Sequence, residues 1–310
     1  MIRIIPSGAI LGATIEGIDL SEPINDDIFS MVLQALGEHG VVHFPRQSLT
    51  PTALRDFSSR FGGLQTGLSD KLCAPGVPEV SVLSNIIRNG QPIGLNDAGQ
   101  DWHTDMSYNQ IVGFANVLHA IEVPRRDGRA LGNTCFANMR AAYDDLPSDI
   151  KARFKDATAT HDFNKFWENM RSRPGSLRAP LTPEQRAKRP PAEHPLFLTH
   201  PISGKKVLYC NPGYAIRING LSNTESEALL TYLTEHQLQS KYQYTHVWNE
   251  GDVLMWDHIG TLHNAIPDYE PHEHRLIQRC QVMADRVFEP DFLPPSLRKQ
   301  AVASRATPKR

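Results

Sequence analysis

The sequence has no CxxC pair; its four cysteines, at positions 73, 135, 210 and 280, are scattered along the chain. That spacing excludes a zinc ribbon and argues against a disulfide framework, so the cysteines read as reduced thiols. It also lacks any run of 18 apolar residues, which argues against a membrane-spanning helix. The early apolar stretch meets Glu16 and Asp19 before a secretory core is complete. Neither charge is in surplus: 32 Lys and Arg against 34 Asp and Glu leave a formal net charge of -2 and a pI near 6.7. Nucleic acid and anionic membranes are therefore disfavoured as partners. Repeats and low-complexity tracts are absent as well. What remains is an ordinary globular balance, 40% hydrophobic and 21% charged over 310 residues, long enough to bury a large core. A small-molecule partner and a cytoplasmic location are expected.

Short segments rich in β-branched residues and bounded by turn residues recur at 2–5, 41–44, 79–83, 117–121, 206–210, 253–256 and 275–282. Many short strands without regular intervening helices predict an antiparallel sheet system. Apolar spacings of three to four predict helices from Asn25 to Gly37 or Gly40, from Thr50 or Thr52 to Gly62-Gly63, over 138–146, and over 222–238. The last carries Ser222 and Glu225 in capping-box spacing. One domain is expected over 1–295. Within it, the Pro- and Arg-rich stretch 171–195 reads as a long lid or loop, and 296–310 reads as a frayed tail.

The strongest chemical signal is Trp102-His103-Thr104-Asp105. On an extended segment the His103 imidazole and the Asp105 carboxylate face one side and can converge on one ion. Such a pair occurs by chance in solvated turns, so a third ligand is needed. Late in the chain an apolar strand leads through a polar turn to His263; His258, five residues earlier and beside Asp257, competes with it. Two histidines and one carboxylate on one face, with the opposite positions open, form the facial triad of non-haem Fe(II) oxygenases. Such an iron needs an electron source, which a chelating 2-oxo acid supplies. The distal carboxylate of that acid calls for a bidentate arginine. Arg275 and Arg279 stand four apart on a β-like stretch after the His263 turn, and in a strand they share a face.

At these residues the chain resembles the taurine dioxygenase and 2,4-D dioxygenase family of Fe(II)- and 2-oxoglutarate-dependent oxygenases. The resemblance runs from Gly12-Ala13 and Gly17-Ile18-Asp19-Leu20 through Val41-Val42-His43-Phe44, Arg60-Phe61-Gly62 and Trp102-His103-Thr104-Asp105. It continues through Gly132-Asn133-Thr134, His161-Asp162-Phe163, Thr199-His200-Pro201 and Asn211-Pro212-Gly213-Tyr214 to the segment 256–280. It implies a mainly β fold with flanking helices around a double-stranded β-helix, the cupin-like jelly roll. It implies His103, Asp105 and His263 as iron ligands, Thr134 and Arg275 on the distal carboxylate of 2-oxoglutarate, Arg279 toward the anionic end of the substrate, and a homodimer or homotetramer. O2 is the second cosubstrate.

Where taurine enzymes carry a His, a Tyr and an Asn around the substrate, this chain has Leu68, Lys71 and Gly99. The small and aromatic pair beyond His161-Asp162-Phe163 appears as Phe166 and Trp167. Taurine is therefore not the expected substrate. Arg279 and Lys71 favour an anion, and Phe166, Trp167 and Tyr214 offer it an apolar or aromatic body to press against. The expected reaction is hydroxylation of a small organic anion with release of succinate and CO2. Desaturation, cyclisation and epimerisation would use the same site, and a non-catalytic sensor on the same barrel is the reading from another class.

Overall fold

In the computed structural model, residues 1–66, 70–96, 99–173, 178–289 and 291–294 are described. Leu68 and the expected tail at 296–310 lie outside them. The short β-branched segments pair into an eight-stranded sheet. Its order is Arg3–Pro6, Ala13–Glu16, Val41–Phe44, Val253–Asp257, Gly113–Glu122, Leu276–Met283, Val77–Ser84 and Cys73–Ala74. All neighbours run antiparallel except Ala13–Glu16 against Val41–Phe44. A three-stranded sheet of Gln243–His246, Thr134–Asn138 and Thr261–Ala265 lies across from it, and another joins Ala192–Pro195, Thr158–His161 and Ala215–Ile218.

Alternation along the strands separates two cores. Val42, Phe44, Val117, Val253, Met255 and Val282 face the helices Asp26–His39 and Pro51–Ser59, whose Phe29, Leu33, Leu36, Leu54 and Phe57 pack on them. Val41, Leu118, Leu254, Trp256 and Ile277 face the other way and meet Phe136 of the smaller sheet. Directly opposed residues of an antiparallel sheet share a face. The register therefore lays two inward rows across the large sheet: His43, Leu254, Leu118, Arg279, and Val41, Trp256, Asn116, Gln281. The first row is apolar in its middle and polar at both ends, and the second runs from apolar to polar.

Several boundaries differ from expectation. The second helix ends at Ser59; Gly62 marks instead a close approach, since a Cβ there would lie 2.4 Å from the Met283 carbonyl oxygen. The helix expected over 138–146 is Met139–Asp144, capped by Asn138. Within the expected loop 171–195, Thr182 and Gln185 close a capping box on the helix Pro183–Ala187, and Ala192–Pro195 is a strand. Residues 174–177 of that stretch lie outside the described residues. Among the described residues, no helix is long and apolar enough to cross a membrane.

Candidate active site

His103 and His263 are joined by reciprocal backbone hydrogen bonds of 3.0 and 2.7 Å, a single antiparallel bridge that brings together positions far apart in the chain. Their rings lie 4.2 Å apart. Asp105 does not follow on a strand, contrary to the expected alternation. The chain turns there, with Asp101 at φ 80° and Met106 at φ 60° on either side, both strained for residues other than glycine. The turn swings the Asp105 carboxylate back to within 3.3 Å of His103 Nε2 and 3.9 Å of His263 Nε2.

The ligand atoms of His103, Asp105 and His263 lie within 4.8 Å of one another, and all three residues are buried. Their donor set, two imidazoles and a carboxylate, fits a divalent metal, and His103 and Asp105 are oriented by their surroundings. His103 Nδ1 donates to the Asp101 carbonyl at 2.7 Å, which fixes the ring with Nε2 toward the carboxylate. Asp105 Oδ2 accepts from Asn116 Nδ2 and Gln281 Nε2, both at 2.9 Å, so Oδ1 is left toward His103. Burial pushes the Asp105 carboxyl up, but the bond from His103 and the charges of His103 and Arg279 outweigh it and hold it well below the usual range. Burial and the neighbouring His103 keep His263 neutral. His258 is also buried, 3.9 Å from Asp105 Oδ2, and its Nδ1 sits 3.1 Å from the Thr104 hydroxyl. It is not one of the three residues whose donor atoms converge.

Arg275 is buried, and its backbone N–H donates to Asn85 Oδ1. Its guanidinium makes no ion pair among the described residues; its neighbours are the Gly132 carbonyl at 3.5 Å and the Tyr269 ring. The Tyr269 side chain and the more distant Asp268 charge favour the cation, but a buried guanidinium with no ion-pair partner among the described residues still suits an anion. Thr134, Arg275, Arg279 and His263 line one narrow cavity, with Gly99 at its edge. Thr134 Oγ1 accepts from the Trp248 indole at 3.1 Å.

A second cavity of about 160 Å³ opens on His103 and Asp105. Phe166, Trp167 and Tyr214 line it as expected, and Arg279 reaches both cavities, 3.7 Å from Asp105 Oδ2. Phe166 lies 4.9 Å from the His103 ring and stacks on Tyr214. Lys71 is exposed in the turn Asp70–Leu72 and does not line this cavity, whereas Tyr108, Arg178 and Arg189 do. Burial and the Asp105 charge push the Tyr108 hydroxyl up to about 12. Arg178 and Arg189 lie over the rings of Trp167 and Phe163.

With this geometry in place, comparison with known proteins is decisive. Residues 3–281 match the family described as taurine catabolism dioxygenase TauD, TfdA family. The chain belongs to that family. It is 33% identical to pentalenolactone F synthase of Streptomyces avermitilis, over 91% of this chain and 94% of that protein. It is 30% identical to the alpha-ketoglutarate-dependent 2,4-dichlorophenoxyacetate dioxygenase of Cupriavidus pinatubonensis, over 91% and 98%. The crystal structure of AAD-2 in complex with Mn(II) and N-oxalylglycine superposes with a TM-score of 0.77, at 27% identity, covering 92% of this chain and 98% of that one. This TauD-family chain is thus a 2-oxoglutarate-dependent dioxygenase with a mainly β, jelly-roll core, and its cofactor set includes 2-oxoglutarate and a metal.

The sequence reading missed several residues of this dioxygenase site. Asn116 and Gln281 hold Asp105, and Asn211 donates to the Thr104 carbonyl and the Ser107 hydroxyl at 2.7 and 2.8 Å, pinning the turn. Gly213 lets that segment approach, since a Cβ there would lie 2.9 Å from the His103 Cβ. Two signals were available: an asparagine inside the apolar strand Gly113–Glu122, and a glutamine two residues after Arg279 on the same strand face.

Proposed function

We propose that the protein is an Fe(II)- and 2-oxoglutarate-dependent dioxygenase that hydroxylates a small organic anion carrying an apolar or aromatic body. In this reading His103, Asp105 and His263 hold the iron, and Thr134 and Arg275 hold the distal carboxylate of 2-oxoglutarate. Arg279 faces the anionic end of the substrate against the wall of Phe166, Trp167 and Tyr214. The observation that carries it is the Arg275 guanidinium, without an ion pair among the described residues and buried in the cavity that also reaches His263. When bound, Fe(II) with 2-oxoglutarate and O2 supplies the oxidising power, and 2-oxoglutarate leaves as succinate and CO2.

The chain's own residues do the positioning. Asn116 and Gln281 keep Asp105 Oδ1 toward the ligand side, and the Asp101 carbonyl fixes the orientation of the His103 ring. The aromatic wall excludes water from the open face, and Arg279, Arg178 and Arg189 give the cavity a positive lining. Relatives named for 2,4-dichlorophenoxyacetate and pentalenolactone F support a carbon-rich substrate in place of taurine. A screen of aryloxy acids, sulfate esters and sulfonates for Fe(II)- and substrate-dependent succinate tests the reading. Succinate stimulated by an aryl- or alkyl-bearing anion, with taurine poor, is expected. Efficient taurine turnover, or turnover that survives His103→Ala and His263→Ala, overturns it.

A second reading keeps the same residues and cosubstrate and ends in desaturation, cyclisation or epimerisation of the substrate, since these outcomes use the same oxidising power. Product mass separates the two: hydroxylation adds one oxygen, and desaturation removes two hydrogens.

A further inference from the structure

Away from the site described above, the inward row that ends in Arg279 begins at His43, and His43 does not stand alone. His246 closes the strand Gln243–His246 of the smaller sheet, and Asp252 immediately precedes the strand Val253–Asp257 of the large one. The ligand atoms of the three residues lie within 4.8 Å of one another. His43 Nε2 is 2.9 Å from Asp252 Oδ1 and His246 Nε2 is 3.5 Å from Asp252 Oδ2, while the two imidazoles sit 4.8 Å apart.

Two features separate this cluster from a plain histidine–aspartate ion pair. First, both Nε2 atoms are buried and both turn toward the one Asp252 carboxylate, so two imidazoles share a single acidic partner. Second, His43 and Asp252 are held from outside the cluster. His43 Nδ1 lies 3.4 Å from the Thr14 hydroxyl, and Asp252 Oδ2 accepts from the Asn249 N–H at 2.8 Å. Metal-binding histidines and carboxylates are oriented in this way by their outer partners. The side chains of His246 and Asp252 are 6% and 3% exposed, and that of His43 is 19% exposed, so an ion has an entry and a water can complete the coordination.

We propose that His43, His246 and Asp252 form a second metal site, for a zinc-like divalent cation, which ties the strand Val41–Phe44 of the large sheet to the smaller sheet. Two imidazoles and one carboxylate suit a four-coordinate ion whose fourth ligand is water. The ion acts as a clasp. It fixes both ends of the 246–252 connection, which carries Trp248, and the Trp248 indole holds the Thr134 hydroxyl in the cavity with Arg275. The site shares no residue with His103, Asp105 and His263.

Zinc binding to the metal-stripped, full-length protein tests this in four forms: wild type, Asp105→Ala, His43→Gln and Asp105→Ala/His43→Gln. The expected stoichiometries are two, one, one and none. His43→Gln should weaken the remaining binding in the Asp105→Ala background by about a hundredfold or more, beyond the effect of losing an outer partner alone. Zinc should raise the melting temperature of the Asp105→Ala protein and not that of the double variant. A folded His43→Gln protein that binds as many zinc ions as its parent, with unchanged affinity, overturns the proposal. The comparison of wild type with His43→Gln reads this site whether or not Asp105 is a ligand of the other metal. Should His43→Gln fail to fold, Co(II) added to the Asp105→Ala protein decides: the strong visible absorption of a four-coordinate site is expected, and its absence overturns the proposal.

Discussion

Asp105 carries three jobs on two oxygens. Oδ2 accepts two amide N–H groups and lies near Arg279, while Oδ1 is left for the ligand side. Removing either amide frees the carboxylate to rotate without removing a ligand. Asn116→Ala and Gln281→Ala should each weaken Fe(II) binding about 10–100-fold, as outer partners of metal ligands typically do, with the fold retained. Equilibrium metal titration checks this, and unchanged affinity in both would mean that the amides do not orient Asp105. Gly132 offers a sharper test of the 2-oxoglutarate assignment. A Cβ there would lie 2.9 Å from Arg275 Nε, and the residue has φ 67°. Gly132→Ala should therefore displace the guanidinium and raise the 2-oxoglutarate requirement in the same direction as Arg275→Ala. The latter should cost about 2–5 kcal/mol as a buried carboxylate loses its charged partner. Fluorescence titration with 2-oxoglutarate under anaerobic conditions measures both.

At the scale of elements, the turn between Val253–Asp257 and Thr261–Ala265 sets where His263 stands. Asp257 accepts from the Ile259 and Gly260 N–H groups, both at 2.8 Å, and from fully buried His200 at 2.8 Å. His200-Pro201, legible only as part of the family resemblance, thus has a physical role in bracing that turn. Another brace crosses elements: Arg140, buried on the helix Met139–Asp144, donates to the Gly37 and Glu38 carbonyls at the end of the helix Asp26–His39. Those carbonyls lack intrahelical partners, and a guanidinium there also suits the negative end of the helix. Arg140→Ala should lower stability by about 2–3 kcal/mol, the scale of hydrogen bonds to a charged group together with carbonyls left unpaired. Urea unfolding measures it, and a loss below about 0.5 kcal/mol would remove the brace from the account.

For the molecule as a whole, buried histidines make acid the weak flank. His161 lies in the core with neither ring nitrogen hydrogen-bonded, and burial lowers it from 6.5 to about 3. Below pH 6.5 the unfolded chain takes up a proton that native His161 refuses, so the unfolded state binds more protons and stability falls with pH. The loss runs from about 6.5 down to about 3, at about 1.4 kcal/mol per unit from this residue. His161→Phe keeps the stacking on Tyr209 and removes the titration. Between about pH 7 and about pH 5 the wild type should lose roughly 2 kcal/mol more than this variant in urea unfolding. Equal losses would place the acid sensitivity elsewhere.

By itself the sequence determined the periodic part of this protein. Short β-branched and apolar runs at 41–44 and 253–256 marked strands, spacing of three to four marked the helix Asp26–His39, and Ser222 with Glu225 marked the start of Asn223–Gln237. It also supplied the residue types of the triad and, through ordered motifs, the family. These are local or linear properties, which the chain carries whether folded or not. The tertiary structure alone decided the rest. Capping chemistry at Thr182 and Gln185 was local but hidden among prolines, so Pro183–Ala187 read as loop. Asp105 reaches His103 through a turn with positive φ at Met106, which no alternation rule anticipates. Asn116 and Gln281 meet one carboxylate oxygen because strand register places them opposite each other across more than a hundred positions of chain, and His43 meets His246 because the two sheets face each other. Register is set by which faces the whole sheet buries, and a one-residue slip would send each of these side chains to the opposite face.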